Sequence, residues 1–199
     1  KLRVNCIITN NAKKILNTKK IKKTISWNIY TDESETKEKM LHINLSRKND
    51  LIVVCPATAN TIAKFANGYG DNLASTTLLA SNKPIILSTG MCTLEEVENS
   101  VNAIRNQGNE KIILMHCISN YPSQMEELNL KAIETMKNKF KVPVGFSDHT
   151  SGILGTLTSV SFGANIVERH FRDPRNKPGP DDIHSLTKDE FVNLISSIK

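Results

Sequence analysis

The feature that most constrains this chain is a rhythm. Short apolar runs alternate with helix-patterned stretches from one end to the other. Runs at 3–9 (RVNCIIT), 24–30, 50–55 (DLIVVC), 84–87, 111–117 (KIILMHC), 142–147 and 165–170 read as strands, apolar and bounded by turn residues, that at 50–55 as a strong buried one. Between them, 10–16, 57–66, 71–80, 129–140 and 152–162 read as helices. Another helix opens on Thr93 with Glu96 three residues on, a capping box, and shows Leu94, Val97, Val101 and Ile104 on one face before Gly108 ends it. A terminal helix over 187–198 repeats the device with Glu190. The charged stretch 32–39 reads as a loop or helix end, and 173–182 as a Pro/Gly-rich loop. Strand alternating with helix argues for a parallel sheet. In such sheets the working residues gather at the carboxyl ends of the strands. Seven candidate strands fall short of the eight of a closed (βα) barrel, so an open or partly curled sheet is expected. Its uncovered edges and apolar surface favour a homo-oligomer.

Charge and cysteine usage narrow the class further. The net charge of +6 is uneven: residues 1–48 hold 12 Lys/Arg against 4 Asp/Glu, the rest 14 against 16. Lys13, Lys14, Lys19, Lys20, Lys22 and Lys23 fall on a predicted helix and its exit with no aromatic interleaving. They read as a solvated face, not a nucleic-acid surface. No apolar run approaches the length of a membrane span. The chain opens on Lys1, on neither Met nor a signal peptide, and reads as a fragment cut upstream. Cys6, Cys55 and Cys117 lie inside apolar runs, where free cysteine behaves as a small hydrophobe, and no C-x-x-C occurs. This points to a reducing cytoplasm.

In the first half, Pro56-Ala57-Thr58-Ala59-Asn60-Thr61 follows a strand and opens a helix, where backbone N–H groups attract anions. His42 lies upstream, a group able to act as a base near neutral pH or to stand as a surface residue. Over roughly 1–87, this stretch with Gly70-Asp71-Asn72-Leu73-Ala74-Ser75-Thr76 resembles the phosphopantothenoylcysteine decarboxylase family of FMN-binding flavoproteins. That resemblance implies a flavodoxin-like (Rossmann-like) unit. It implies catalytic roles for His42 as base and Asn60 on the substrate carboxylate, and FMN contacts at Thr58, Ser75 and Thr76. The family's Gly-Ser phosphate loop and its Pro-x-Met-Asn motif have no counterpart here. Ser88-Thr89-Gly90-Met91 stands in the second place, so the flavin site reads as incomplete.

In the second half, His149 and His170 end successive predicted strands 21 residues apart. Two imidazoles at neighbouring strand ends can share a divalent metal, or each can be satisfied locally. Ser88, Ser119 and Ser147 also close or follow strands, where hydroxyls can cradle a phosphate. The segments KPIILSTGMCTLEEVENSVNAI, ILMHCISNYPSQMEELNL, VPVGFSDHTSGILGTLTSVSFGANIVERHF and NKPGPDDIHSLTKDEF resemble the N-acetylneuraminate (sialic acid) synthase family over 83–199. That resemblance implies the later half of a TIM barrel that condenses phosphoenolpyruvate with an N-acylated amino sugar. It implies Mn²⁺ (or Mg²⁺) held by His149 and His170, substrate phosphate on Ser88, Ser119 and Ser147, and a substrate-loop acid at Asp181. The family often has His after that acid; here Asp182 follows.

The two resemblances meet inside one strand, Lys83-Pro84-Ile85-Ile86-Leu87, in phase and without a linker. The expectation is therefore a chimera-like α/β protein, a flavoprotein-like 1–87 joined to a partial barrel over 83–199. Its function would be a sialic-acid-synthase-like condensation weakened by a missing half barrel. An FMN-dependent decarboxylase and an inactive βα scaffold are the alternatives.

Overall fold

The apolar runs become strands, and the strand registers run parallel. The structure, a computed structural model, describes residues 3–15, 28–54, 60, 61, 64, 67–175 and 177–199. Residues Lys19, Lys20, Lys22, Lys23, Cys55 and Thr58, the first part of the expected strand at 24–30 and most of the expected helix at 57–66 lie outside them; Asn60, Thr61 and Lys64 are helical. Two compact units emerge, each with its own packing.

The first unit pairs β1 (Asn5–Ile7) with β2 (Asn28–Tyr30) in parallel register, Cys6 opposite Ile29. Helix α1 (Asn10–Ile15) follows β1. The stretch expected as a loop or helix end is instead helix α2 (Asp32–Lys37). Asp32, Glu33 and Glu35 in its first turn and Lys37 in its last suit the helix dipole. A second departure is α3 (Leu41–Lys48), a helix that the local pattern did not announce. It begins after Met40, which sits in the left-handed region at φ 58°. Its Leu41 and Leu45, one turn apart, pack with Leu73 of α4 (Leu73–Leu79), and Ile7 and Tyr30 close over them. The Asp32 carboxylate accepts the Leu73 N–H at 2.9 Å and so caps one helix with a residue of another.

The larger sheet runs β3-β4-β5-β6-β7. Its members are β3 (Ile52–Val54), β4 (Ile85–Ser88), β5 (Ile112–Cys117), β6 (Val144–Asp148) and β7 (Val167–Arg169). From β4 onward the neighbours are in parallel register, making a half-barrel sheet. The run at 50–55 was expected to be deeply buried, but β3 is an outer strand and Val53 is 54% exposed. In the second unit Ile85, Leu87, Ile112, Leu114, Val144 and Phe146 are each at most 2% exposed. Side chains of this kind stabilise by roughly 1.5–3 kcal/mol each when buried. Helix α5 (Leu94–Asn106) buries Val97, Val101 and Ile104 as the spacing predicts, but Leu94 stays 39% exposed. Its capping box forms: Thr93 N–H donates to Glu96 at 2.8 Å and Glu96 N–H to the Thr93 hydroxyl at 3.3 Å. Gly108 turns the chain at φ 81°, where a side chain would be strained. Helices α6 (Lys131–Phe140), α7 (Leu154–Ser161) and α8 (Lys188–Ile198) follow β5, β6 and β7. No helix among the described residues is long and apolar enough to cross a membrane.

Two buried polar groups tie strands to the segments that flank them. Asn109 donates to the carbonyls of Ser81 (2.9 Å) and Lys83 (2.8 Å) and accepts the Lys111 N–H (2.9 Å). Removing that amide leaves buried backbone groups unpaired, so Asn109→Ala should lower the urea-unfolding free energy by about 1–3 kcal/mol. His116 donates from Nε2 to the Leu128 carbonyl (2.9 Å) and stacks on Phe146. Burial holds its pKa below the ordinary value. The unfolded chain takes up a proton near pH 6.5 while the folded His116 resists it, so stability is full above that pH and falls as pH drops below it. Urea midpoints at about pH 7.5 and about pH 5.5 should differ less in His116→Gln than in the wild type.

Candidate metal and substrate site

The carboxyl edge of the second unit collects the polar side chains. Ser88 is the last residue of β4, Ser119 lies two residues past β5, Ser147 is on β6, and His149 and His170 each follow their strand by one residue. The pairing Asp148↔Arg169 places the two histidines side by side, with ring centres 5.1 Å apart.

What sets that spacing is an ion pair directly before both histidines. Asp148 and Arg169 are fully buried and meet through Arg169 Nη1 and Asp148 Oδ2 at 2.5 Å. Asp148 also accepts the Thr150 N–H at 2.8 Å and the Thr156 hydroxyl at 2.6 Å. Arg169 Nη2 donates to the carbonyls of Thr150 at 2.8 Å and His184 at 3.2 Å. Gly155 at the start of α7 passes over this cluster. A Cβ there would come within 3.0 Å of both Asp148 carboxylate oxygens and 2.7 Å of the Thr150 hydroxyl.

A third histidine arrives from an unexpected place. The Pro/Gly-rich excursion after β7 returns at Leu186, whose N–H donates to the His170 carbonyl at 2.8 Å and whose carbonyl accepts the Arg172 N–H at 2.9 Å. A short 3₁₀ turn, Asp182–His184, precedes that return. It sets the His184 ring 4.7 Å from His170 and 6.0 Å from His149. Tyr121 lies over the group, its ring centre 4.2 Å from that of His149. Asp181 lies on the outer side, its carboxylate 3.7 Å from His170 Nδ1 and 3.8 Å from His184 Nε2. Sequence reasoning reached His149, His170 and Asp181 but missed His184 and Tyr121. His184 sits two residues beyond Asp182 in a block already singled out, yet only the long-range pairing at Leu186 turns it inward.

The electrostatics suit a cation. His149 Nδ1 donates to the Ile118 carbonyl at 3.1 Å, which leaves the Nε2 lone pair free. Burial, then the neighbouring His170, holds the His149 pKa below the ordinary value. The same two causes lower that of His184. Both rings are therefore neutral at pH 7 and able to ligate. His170, Asp181 and His184 offer ligand atoms all within 4.8 Å of one another. The donor set fits a divalent ion.

The remaining expected residues are more dispersed. The Ser147 hydroxyl donates to Glu168 at 2.6 Å, Ser88 Oγ lies 3.2 Å from Cys117 Sγ, and Ser119 is exposed. In the first unit His42 is half-buried on α3, with Nδ1 donating to Glu35. Asn60 is exposed and Thr58 lies outside the described residues. Ser75 and Thr76 were expected at a flavin. The structure instead turns their hydroxyls to the Asn72 carbonyl, at 3.0 and 2.8 Å, as part of the α4 cap. The flavin expectation finds no support at these positions.

A parallel half-barrel sheet with histidines on its carboxyl edge defines the class: an α/β fold consistent with part of a (βα) barrel. The NeuB family model matches residues 56–199, and the chain belongs to the NeuB family. The match begins upstream of Lys83–Met91, within the stretch that resembles a flavoprotein. The chain is 40% identical over 141 residues to an N,N'-diacetyllegionaminic acid synthase of Legionella pneumophila, covering 68% of this chain and 40% of that protein. It is 36% identical over 117 residues to a pseudaminic acid synthase of Campylobacter jejuni, covering 59% and 34%. It thus spans about two fifths or less of these relatives' length. The crystal structure of an N-acetylneuraminic acid (sialic acid) synthetase from Leptospira borgpetersenii in complex with citrate superposes with a TM-score of 0.70, over 98% of this chain and 71% of that one. At 22% identity this is a likeness of fold.

Breaking the buried pair on one side strands a charge. Arg169→Met should lower the unfolding free energy by about 3–5 kcal/mol, read by urea denaturation. A loss below about 1 kcal/mol would show that the pair is dispensable.

Proposed function

We propose that this chain carries the metal and phosphate corner of a NeuB-type synthase, which joins phosphoenolpyruvate to an N-acylated amino sugar through a new carbon–carbon bond. The observation that carries this reading is the convergence of His149 and His170 on the carboxyl edge of adjacent parallel strands, 5.1 Å apart. The family membership and the names of the relatives point the same way.

In this reading His149 and His170 hold a divalent ion, Mn²⁺ or Mg²⁺, through ring nitrogens left free of the backbone. The ion, when bound, supplies Lewis-acid polarisation of the sugar aldehyde. The hydroxyls of Ser88, Ser119 and Ser147 orient the phosphate of phosphoenolpyruvate, with C3 facing the aldehyde carbon. Ser88 and Ser147 must then turn from Cys117 and Glu168 toward the ligand. Asp181 meets the polar face of the sugar from the returning loop. Tyr121, over His149, screens the metal edge from bulk water.

Calorimetry with phosphoenolpyruvate is the direct test. Binding should require a divalent ion and should disappear in the His149→Ala/His170→Ala variant. His42→Ala should leave it unchanged. Phosphoenolpyruvate binding that is equal with and without the two histidines would remove the basis of this assignment.

A further inference from the structure

Asp181 and His184 are one 3₁₀ turn apart, and that spacing pairs them. Such a turn has three residues per revolution, so side chains at i and i+3 lie over one another. Asp181 opens the turn Asp182–His184, yet its carboxylate makes no capping bond. Its two oxygens lie toward two imidazoles instead: Oδ1 is 3.8 Å from His184 Nε2, and Oδ2 is 3.7 Å from His170 Nδ1. His184 is 1% exposed, and neither of its ring nitrogens has a hydrogen-bond partner. Buried ring nitrogens are ordinarily satisfied, so this one calls for an explanation.

The turn itself is held. The Asp181 carbonyl accepts the Ser185 hydroxyl at 2.7 Å and the His184 N–H at 3.3 Å. The Ile183 carbonyl accepts the Ser151 hydroxyl at 3.3 Å, and the His184 carbonyl accepts Arg169 Nη2 at 3.2 Å. The Leu186 N–H then closes on the His170 carbonyl at 2.8 Å. What remains adjustable is the Asp181 side chain, 57% exposed. A movement of about 1 Å brings Oδ1 within hydrogen-bond reach of the buried ring.

We propose that His184 is a positioning residue for Asp181: its Nε2–H donates to Oδ1 and so aims Oδ2 at the amino sugar, along the edge beside His170. This rests on the reading that Asp181 meets the sugar, and adds what orients that acid. A carboxylate only accepts, so the ring nitrogen that faces it carries the proton. An exposed carboxylate on its own rotates; a donor buried behind it fixes one oxygen and leaves the other to the ligand. Hydrogen bonds to an ionised acceptor are about twice as strong as neutral ones. Contacts that are long in a free enzyme tighten in its complex.

The test is a double-mutant cycle on sugar affinity, read by calorimetry on the whole chain with Mn²⁺ present and N-acetylmannosamine as the probe. Asp181→Asn and His184→Phe should each lose about tenfold or more in affinity. In the Asp181→Asn background, His184→Phe should cost nothing further. His184→Gln, whose amide keeps an N–H donor, should recover part of the loss. A merely structural His184 would lower affinity by the same factor in both backgrounds. That additivity, or unchanged affinity in His184→Phe, overturns the proposal and leaves the Asp181 reading standing. Wild-type affinity in Asp181→Asn, or no sugar binding by the wild type, removes that reading and this inference with it. Should a variant fail to fold, nitrogen-15 NMR of the histidine-labelled wild type reads which ring nitrogen of His184 is protonated. Nε2 is expected, and a proton on Nδ1 overturns the proposal.

Discussion

The site depends on one buried ion pair. Asp148 and Arg169 lie directly before His149 and His170, on neighbouring strands, and meet with no exposure to solvent. A charge taken so far from water needs a close partner and added hydrogen bonds. Asp148 takes three such contacts, from Arg169, Thr150 and Thr156. Arg169 extends the network to the carbonyl of His184. The pair therefore fixes the height of two strand ends and the return point of the loop. Three imidazoles meet because the residues next to them, or their own backbone, are held.

The same arrangement explains the chemistry at the rim. Burial and mutual proximity keep His149 and His184 neutral at pH 7. Cation-binding lone pairs thus replace what would otherwise be repelling positive charges. Gly155 lets α7 approach the Asp148 carboxylate closely, which closes the dry side of the network. The polar, exposed side belongs to Asp181, Ser119 and Tyr121. The carboxyl edge of the sheet thus has a dry network behind it and a polar, exposed rim in front.

Local chemistry was legible where it acts over a few residues. The Thr93–Glu96 and Thr187–Glu190 boxes form as their spacing implies. The alternating runs became parallel strands, and the SDHT and ERHF blocks brought two histidines together. Helix α3 escaped because its burial rests on only two leucines, one turn apart, and it starts from a left-handed Met40 without a capping side chain. Residues 32–37 escaped because a run of acids reads as solvent-facing, although acids stabilise a helix start. Val53 was misjudged because an apolar run does not say whether its strand lies at the sheet's edge. His184 was invisible for a different reason: Leu186 pairs back onto the chain after β7 across an irregular loop, and no periodicity encodes that return.

The Asp148–Arg169 network positions the clustered histidines. The most direct measurement is the Co²⁺ affinity of Arg169→Lys, taken at a temperature where circular dichroism matches the wild type. Lysine keeps the charge but lacks the planar fork that reaches Asp148, Thr150 and His184 together. The account predicts a loss of about tenfold or more in affinity without any change to a ligand. A folded Arg169→Lys protein that binds Co²⁺ as tightly as the wild type would contradict it.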